Sequence, residues 1–495
     1  MNLFQLLNKN TALEIDIVKV ILAAGPRISK SQLRKTLNIS NFTLTGALTH
    51  IQSVFDEVKI NATLEIEDVD SVTYVRVKKE PTTDIFDFYY AYLADSLEYQ
   101  ILRYLFHKQS FTRIQLIQTL SISEGSLYRY LNHLNELLHE FNLAIKNGRI
   151  VGEELQINYF YFELIWNSVP TNEIHALITN DRIQHTVTAL ESSLDTTFND
   201  HTKMRAALWL LILQKRSTIE LTTNSVSKQL LKEITRDPLF NQVQTVYLRF
   251  TIGNAQAGSS FKSVYLYLFL ISMFIFDTNN HFIFKLGGTW PTPLSQIKHT
   301  AQWIVEFVTD NLNVDLDDFP ENFTLRWYSV LTQLLTQIYF FQSNITFIST
   351  DNQCITQTKY TKSLIEPIIK KVLTDFSKPT ISDTMKIYGY SILESFIESS
   401  HKYAKHHLRI GIFARKDYFS ALYLVEQFAS EFSGSFNLDI EIATPTQKYD
   451  LLVTDSPLSV SRYHFAKQYV LAGRLNALDR EMLATILNNI MESVN

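Results

Sequence analysis

Arginine and asparagine can each make paired hydrogen bonds to a base edge, arginine to guanine and asparagine to adenine. Arg129 and Asn132 stand three residues apart, so a helix would place them on one face. The surrounding segment EGSLYRYLNHLNELL buries Leu127, Leu131, Leu134 and Leu138 at helical period, which turns Gly125, Ser126, Tyr128, Arg129, Asn132 and His133 outward. A related segment, NFTLTGALTHIQSVF, buries Leu44, Leu48, Ile51 and Phe55 and exposes Asn41, Phe42, Thr43, Thr45, Gly46, Thr49 and His50. That face holds no Arg or Lys. Its cations, Arg27, Lys30, Arg34 and Lys35, lie one helix earlier and suit phosphates, which fix position without reading sequence. The candidate DNA contacts are Arg27, Lys30, Arg34, Lys35, Asn41, Thr43 and Thr45 in the first segment, and Arg113, Ser126, Tyr128, Arg129 and Asn132 in the second. The second is expected to read bases more than the first, with DNA shape supplying part of the selectivity. His50 and His133 read as solvated surface histidines. Gly46 inside a helix costs about 1 kcal/mol against Ala; it either permits a close backbone approach or is simply tolerated.

The elements that must hold these faces are repeated. Residues 32–55 (QLRKTLNISNFTLTGALTHIQSVF) align without a gap on residues 115–138 (QLIQTLSISEGSLYRYLNHLNELL), with nine identical positions. Each copy opens on a capping box, Ser29 with Gln32 and Thr112 with Gln115. A short helix ends near Leu37 or Leu120. A three-residue turn with an apolar plug follows, and Ser40 or Ser123 caps the next helix. Apolar helices over 15–23 and 97–105 precede the two copies, which completes a three-helix helix-turn-helix arrangement. Each copy is then followed by a β-hairpin wing. The first pairs 60–66 with 72–78 around Asp68-Val69-Asp70-Ser71. The second pairs 143–146 with 149–151 around Asn147-Gly148.

The remainder is read more coarsely. A chain of 495 residues predicts roughly three to five domains. Gly and Pro number only 13 and 11, which argues against long linkers and large β-sandwiches. From 159 to about 401 the pattern is helical, with apolar-rich stretches at 160–166, 204–214, 263–276, 301–307, 325–341 and 385–397. Gly287-Gly288 and Pro291/Pro293 divide it into two bundles. The tail alternates strand and helix: 408–414, 418–432, 438–443, 449–453 and 479–491. That alternation implies a small parallel α/β domain. The domain expectation is 1–80, 81–158, 159–288, 289–403 and 404–495.

Several classes are disfavoured. A single cysteine, Cys354, permits neither an internal disulfide nor a cysteine zinc cluster and fits a reducing cytosol. The N-terminus lacks a signal-peptide core, and the longest apolar run, 264–276, is too short to span a bilayer. A cytoplasmic location with no membrane partner is expected. The net charge of −5 requires that any DNA binding come from local basic surface. There is no Walker-type glycine loop and no GxSxG, and His406-His407 are adjacent rather than at helical metal-ligand spacing. Asp455-Ser456-Pro457 reads as a turn. The chain is therefore expected not to be an enzyme and to need no metal or cofactor.

With these motifs in place the layout resembles the Mga/AtxA family of global and virulence regulators of Gram-positive bacteria. The resemblance is most specific at QLRKTLNIS, at QLIQTLSISEGSLYRYLNHLN and in the hairpin-to-helix passage IKNGRIVGEELQINYFYFELIW. It implies a mainly α, multidomain transcription activator. The parts would be two N-terminal winged helix-turn-helix domains, two helical phosphotransferase-system regulation domains (PRDs) and a C-terminal α/β enzyme IIB-like domain. It also implies double-stranded DNA as partner and a homodimer or higher homo-oligomer formed through the C-terminal half. PRDs are controlled by histidine phosphorylation from a phosphotransferase-system phosphocarrier protein. The candidates are His175, His185, His201, His281 and His299. His201 is favoured because it follows Asp200 at a helix start, where a phosphate dianion is stabilised, and His299 is second. The loop after the first tail strand, Ala414-Arg415-Lys416-Asp417, lacks the cysteine of active enzyme IIB proteins, and His406 and His407 precede the strand. A structural or oligomerisation role for the tail follows, with Arg415-Lys416 available to a phosphoryl group or partner. The alternatives are a phosphotransferase-system phosphoacceptor protein and a PRD-containing RNA-binding antiterminator. The missing cysteine argues against the first, and the tandem helix-turn-helix against the second.

Overall fold

The computed structural model describes residues 1–216, 231–232, 234–251, 261–273, 294–320, 323–346, 359–401, 403, 407–415, 417–434, 436–456, 462–472 and 475–494. Cys354, His281, His406, Lys416, Pro457 and the Gly287-Gly288 and Pro291/Pro293 breaks lie outside the described residues, as does the expected boundary at 288/289. The chain divides into two compact units, Met1–Leu270 with Phe341–Thr350, and Ile271–Phe340 with Asp351–Asn495.

The first unit begins with the two repeated modules. In the first, α1 (Lys9–Ala23), β1 (Ile28–Ser29), α2 (Lys30–Leu37) and α3 (Asn41–Val58) lead into the hairpin β2 (Ala62–Val69) and β3 (Val72–Lys79). β1 adds antiparallel to β3, giving the order β1-β3-β2. The local causes are side-chain caps and left-handed residues. The Ser29 hydroxyl accepts from the Gln32 amide, and Ser40 from Thr43. Asn38 at φ 52° ends α2, and Lys59 at φ 58° ends α3. Ile15, Val18, Ile21, Leu33, Leu44, Leu48, Ile51, Phe55 and Val75 share one buried core. Each such side chain stabilises the fold by about 1.5–3 kcal/mol. A helix not anticipated from the sequence, α4 (Phe86–Asp95), adds Phe88 and Tyr92 to that core.

The second module repeats the plan with α5 (Leu97–Lys108), α6 (Arg113–Leu120), α7 (Glu124–Leu138) and the hairpin β4 (Ala144–Lys146) and β5 (Arg149–Val151). Ser96, Thr112 and Ser123 cap its helices, and Ser121 (φ 53°) and Asn142 (φ 56°) take the left-handed places of Asn38 and Lys59. Two expectations need correction. The reciprocal capping box closes at Thr112, whereas at Ser29 only the hydroxyl half is made. Leu131, expected in the core, is only half-buried.

α8 (Glu154–Ser168) follows and is buried on nearly every face, as an apolar helix inside a bundle must be. Its buried Glu154 carboxylate is paired. Glu154 takes two bonds from the Arg216 guanidinium, at 2.7 and 2.8 Å, and the Lys262 amine donates to the Arg216 carbonyl at 2.6 Å. Burial pulls the Lys262 amine down to about 8. α9 (Thr171–Leu177), α10 (Asp181–Ser193), α11 (Asp200–Lys215), α12 (Pro238–Thr251) and α13 (Phe261–Ser272) continue the helical run. Trp209 of α11 stacks on Phe269 at 4.5 Å.

The second unit holds α14 (Leu294–Leu312), α15 (Phe323–Phe340), α16 (Lys359–Asp375) and α17 (Asp383–His401). A four-stranded, all-parallel sheet follows: β6 (Leu408–Phe413), β7 (Leu438–Ile442), β8 (Lys448–Thr454) and β9 (His464–Val470), in the order β7-β6-β8-β9. α18 (Tyr418–Phe432) lies between β6 and β7 in sequence, and α19 (Ala477–Val494) closes the chain. The parallel α/β tail was expected; β9 was not. It is an edge strand with no apolar run, half-buried or exposed along its length. A Cβ at Gly411 would come within 2.8 Å of the Tyr449 ring, so the centre of the sheet needs a glycine there.

Candidate nucleic-acid interface

Two polar clamps fix each third helix, and they fall at equivalent repeat positions. His50 Nδ1 lies 2.7 Å from the Glu14 carboxylate, and His133 Nδ1 lies 2.8 Å from Glu98. Each glutamate sits on the first helix of its module and is only 10% exposed. Each histidine sits on the third helix. An ionised carboxylate only accepts, so Nδ1 carries the hydrogen in both rings. The reading of these histidines as merely solvated is thereby corrected: both tie the third helix to the first. The two carboxylates differ in their surroundings. The Tyr92 hydroxyl also donates to Glu14. At Glu98, burial raises the carboxyl above its usual range, against the opposing pull of His133 and Arg129. The second clamp is an amide latch. Gln52 accepts from the Leu64 amide on β2 at 2.7 Å, and its counterpart Asn135 accepts from the Ile145 amide on β4 at 2.6 Å. The alignment pairs Gln52 with Asn135, but only the fold shows that both orient a wing.

The outward face of each third helix carries a stripe at i, i+4, i+8. In α3 it is Phe42, Gly46, His50, and in α7 it is Gly125, Arg129, His133. Each stripe has one large side chain beside a glycine, with the order reversed. Phe42 is 91% exposed, and Arg129, Asn132 and Tyr128 are exposed. Among the described residues a Cβ on Gly46 or Gly125 would meet nothing within 4 Å, so packing against them demands neither glycine. Asn41, Thr43 and Thr45 are exposed on α3. Ser126 is half-buried, and its hydroxyl accepts from Ser123 Oγ at 3.0 Å.

Cations are distributed differently in the two modules. Arg34 and Lys35 are exposed on α2, Lys30 is half-buried at its start, and Arg27 is exposed with its guanidinium 4.4 Å from the centre of the Tyr74 ring. In the second module Arg113 is exposed and pairs with Glu124 at 3.8 Å, a contact that solvent screens. The wing tips have opposite charge. Asp68 and Asp70 are exposed at the first tip. Lys146 and Arg149, cross-strand partners, are exposed at the second. The sequence alone assigns no role to Lys146, Arg149 or Phe42. The Asn147-Gly148 hairpin places both cations beside the turn and was the available signal.

Residues 81–165 match the family model of the Mga helix-turn-helix domain. The match covers 85 of the 495 residues and shows what this segment is similar to. No curated protein matches the chain. The Mga domain thus spans α4 to α7, the short wing and most of α8, and includes Arg129, Asn132, Lys146 and Arg149. The first module, whose third helix repeats that of the Mga domain position by position, precedes the match.

The histidine candidates lie away from this surface in sequence. His201 is exposed in the first turn of α11, which Asn199 caps. Its ring meets Trp166 edge-on at 4.8 Å, and burial with nearby Arg205 lowers its proton affinity. His299 is exposed on α14, His175 on α9 and His185 on α10. In the tail, the Arg415 amide donates to Asp455 at 2.8 Å, and Asp417 caps α18. No described helix is long and apolar enough to cross a membrane.

Proposed function

We propose that this chain is a DNA-binding transcription regulator, an activator and not an enzyme, acting in the cytoplasm on double-stranded DNA. The observation that carries the reading is the Mga helix-turn-helix match over 81–165, with Arg129 and Asn132 exposed on its third helix. Arg129 and Asn132 read base edges, Tyr128 and Ser126 flank them, and Arg113 contacts phosphate. The first module grips phosphates through Arg27, Lys30, Arg34 and Lys35, with Asn41, Thr43 and Thr45 toward the groove. Modulation enters through the bundles, read as the two PRDs over 159–288 and 289–403. Phosphorylation of His201 or His299 by a phosphotransferase-system carrier would add a dianion. At His201 it would fall in the first turn of α11, where the helix dipole favours it. The enzyme IIB-like tail serves self-association. Its support is the exposed set Tyr418, Phe419, Leu422 and Tyr423 on α18. Paired chains would bind paired sites with raised avidity.

Gel-shift titration of the full chain against duplex DNA across a salt series tests the central claim. Affinity is expected to fall steeply with salt. Arg129→Ala should lose roughly 5- to 150-fold at one base pair and relax selectivity there. Arg34→Ala should weaken all duplexes alike and reduce the salt slope by about one. Absence of duplex binding at low salt would overturn the reading, and uniform losses from both variants would remove the division of labour.

A further inference from the structure

The first module lacks an arginine on its outward stripe, and what it presents instead is Phe42, 91% exposed in the first turn of α3. An isolated exposed apolar side chain is ordinary on a protein surface. Three observations set this one apart. It stands on the same i, i+4, i+8 stripe whose counterpart in the Mga domain carries Arg129. The adjacent stripe position is Gly46, whose missing Cβ is required by none of the described residues. The module also exposes Arg27, Arg34 and Lys35, a charge complement for a polyanion. On a recognition helix seated in a major groove, a side chain at that position would face the groove floor. The apolar feature of that floor is the C5-methyl group of thymine.

We propose that Phe42 is a specificity-determining residue that reads a thymine methyl group in the major groove. This rests on the DNA-binding reading above and sharpens it: the first module selects for thymine by apolar contact, and the Mga domain selects through the hydrogen bonds of Arg129 and Asn132. Gly46, one turn along the same stripe, leaves room for the duplex to approach closely enough for the phenyl ring to touch the base.

The test uses the full chain and a duplex selected by it from a random-sequence library. Thymines are replaced by uracil one at a time, which removes the methyl group and leaves charge and base-edge hydrogen bonding unchanged. At one or more thymines the parent should lose roughly fourfold in affinity, the effect of one buried methyl group. Phe42→Ala should bind the original duplex more weakly and be indifferent to the same replacement. Phe42→Leu should recover part of the sensitivity, and Arg129→Ala should retain it. Identical uracil sensitivity in the parent and Phe42→Ala at every position would overturn the proposal. So would a Phe42→Ala variant that binds DNA normally and fails only in transcription, because Phe42 would then face a protein. Failure of the parent to select any duplex strikes the DNA-binding reading itself, which separates the two claims.

Discussion

The two N-terminal modules share their scaffold and differ on their surfaces. Helix caps fall at Ser29 and Thr112 and at Ser40 and Ser123, and left-handed turn residues at Asn38 and Ser121 and at Lys59 and Asn142. Glu14–His50 matches Glu98–His133, and Gln52 matches Asn135. The outward positions diverge. Phe42-Gly46 faces out where the Mga domain has Gly125-Arg129. Three of the first module's candidate phosphate cations lie on α2 (Lys30, Arg34 and Lys35), with a fourth, Arg27, just before it, whereas the Mga domain adds Lys146 and Arg149 at its wing tip. An acidic first tip would repel phosphate at the place where a basic second tip attracts it. The division follows physical demand. Caps, core and clamps answer to the fold, which the modules share, and the stripes answer to whatever each module touches.

The largest expected effect separates the two wings. Gly148 has φ +70°, and a Cβ there would sit 2.0 Å from the Phe111 carbonyl oxygen, so the short wing has no room for a side chain. The longer first wing turns through Asp70 and Ser71, both at positive φ, without glycine. Gly148→Ala should cost about 3 kcal/mol or more in a urea melt. Ser71→Gly should shift stability by about 1 kcal/mol or less. Equal responses would mean that the wings are not built on different constraints.

Next in size come the clamps. His133→Ala leaves the buried Glu98 carboxylate without its histidine, and His50→Ala leaves Glu14 with the Tyr92 hydroxyl. Losing the partner of a buried polar group costs about 1–3 kcal/mol. His133→Ala should therefore destabilise more than His50→Ala in thermal melts near neutral pH. The reverse order would show that Tyr92 contributes little to holding Glu14.

What was legible in the sequence follows from where each signal lies. The repeat, the caps and the turn residues depend on neighbours a few positions apart, so Ser40, Ser123 and Asn147-Gly148 were readable directly. The Glu–His clamps span 36 and 35 residues and depend on how the first helix crosses the third, which no local pattern encodes. α4 was missed because its apolar face belongs to a core assembled from distant segments. β9 was missed because an edge strand needs no buried run. Arg129 and Asn132 were found by their chemistry, whereas Phe42, placed on the same exposed face by the helical period, carries no hydrogen-bonding group and so drew no role.

The smallest effect bears most directly on which way the stripes face. Glycine inside a helix costs about 1 kcal/mol relative to alanine. At Gly46 and Gly125 no packing gain offsets it among the described residues, since an added Cβ would meet none of their atoms within 4 Å. Gly46→Ala should therefore stabilise the chain by about 1 kcal/mol in a thermal melt. If the duplex lies against Phe42, Gly46 and His50, the same methyl group would hold it off and weaken binding several-fold in a gel shift. Gly125→Ala should behave likewise on the Mga stripe, with Arg129 one turn further along. A variant that is both more stable and unimpaired in binding would turn that stripe away from DNA. One that is more stable and impaired would explain why a helix keeps a residue that its own folding does not need.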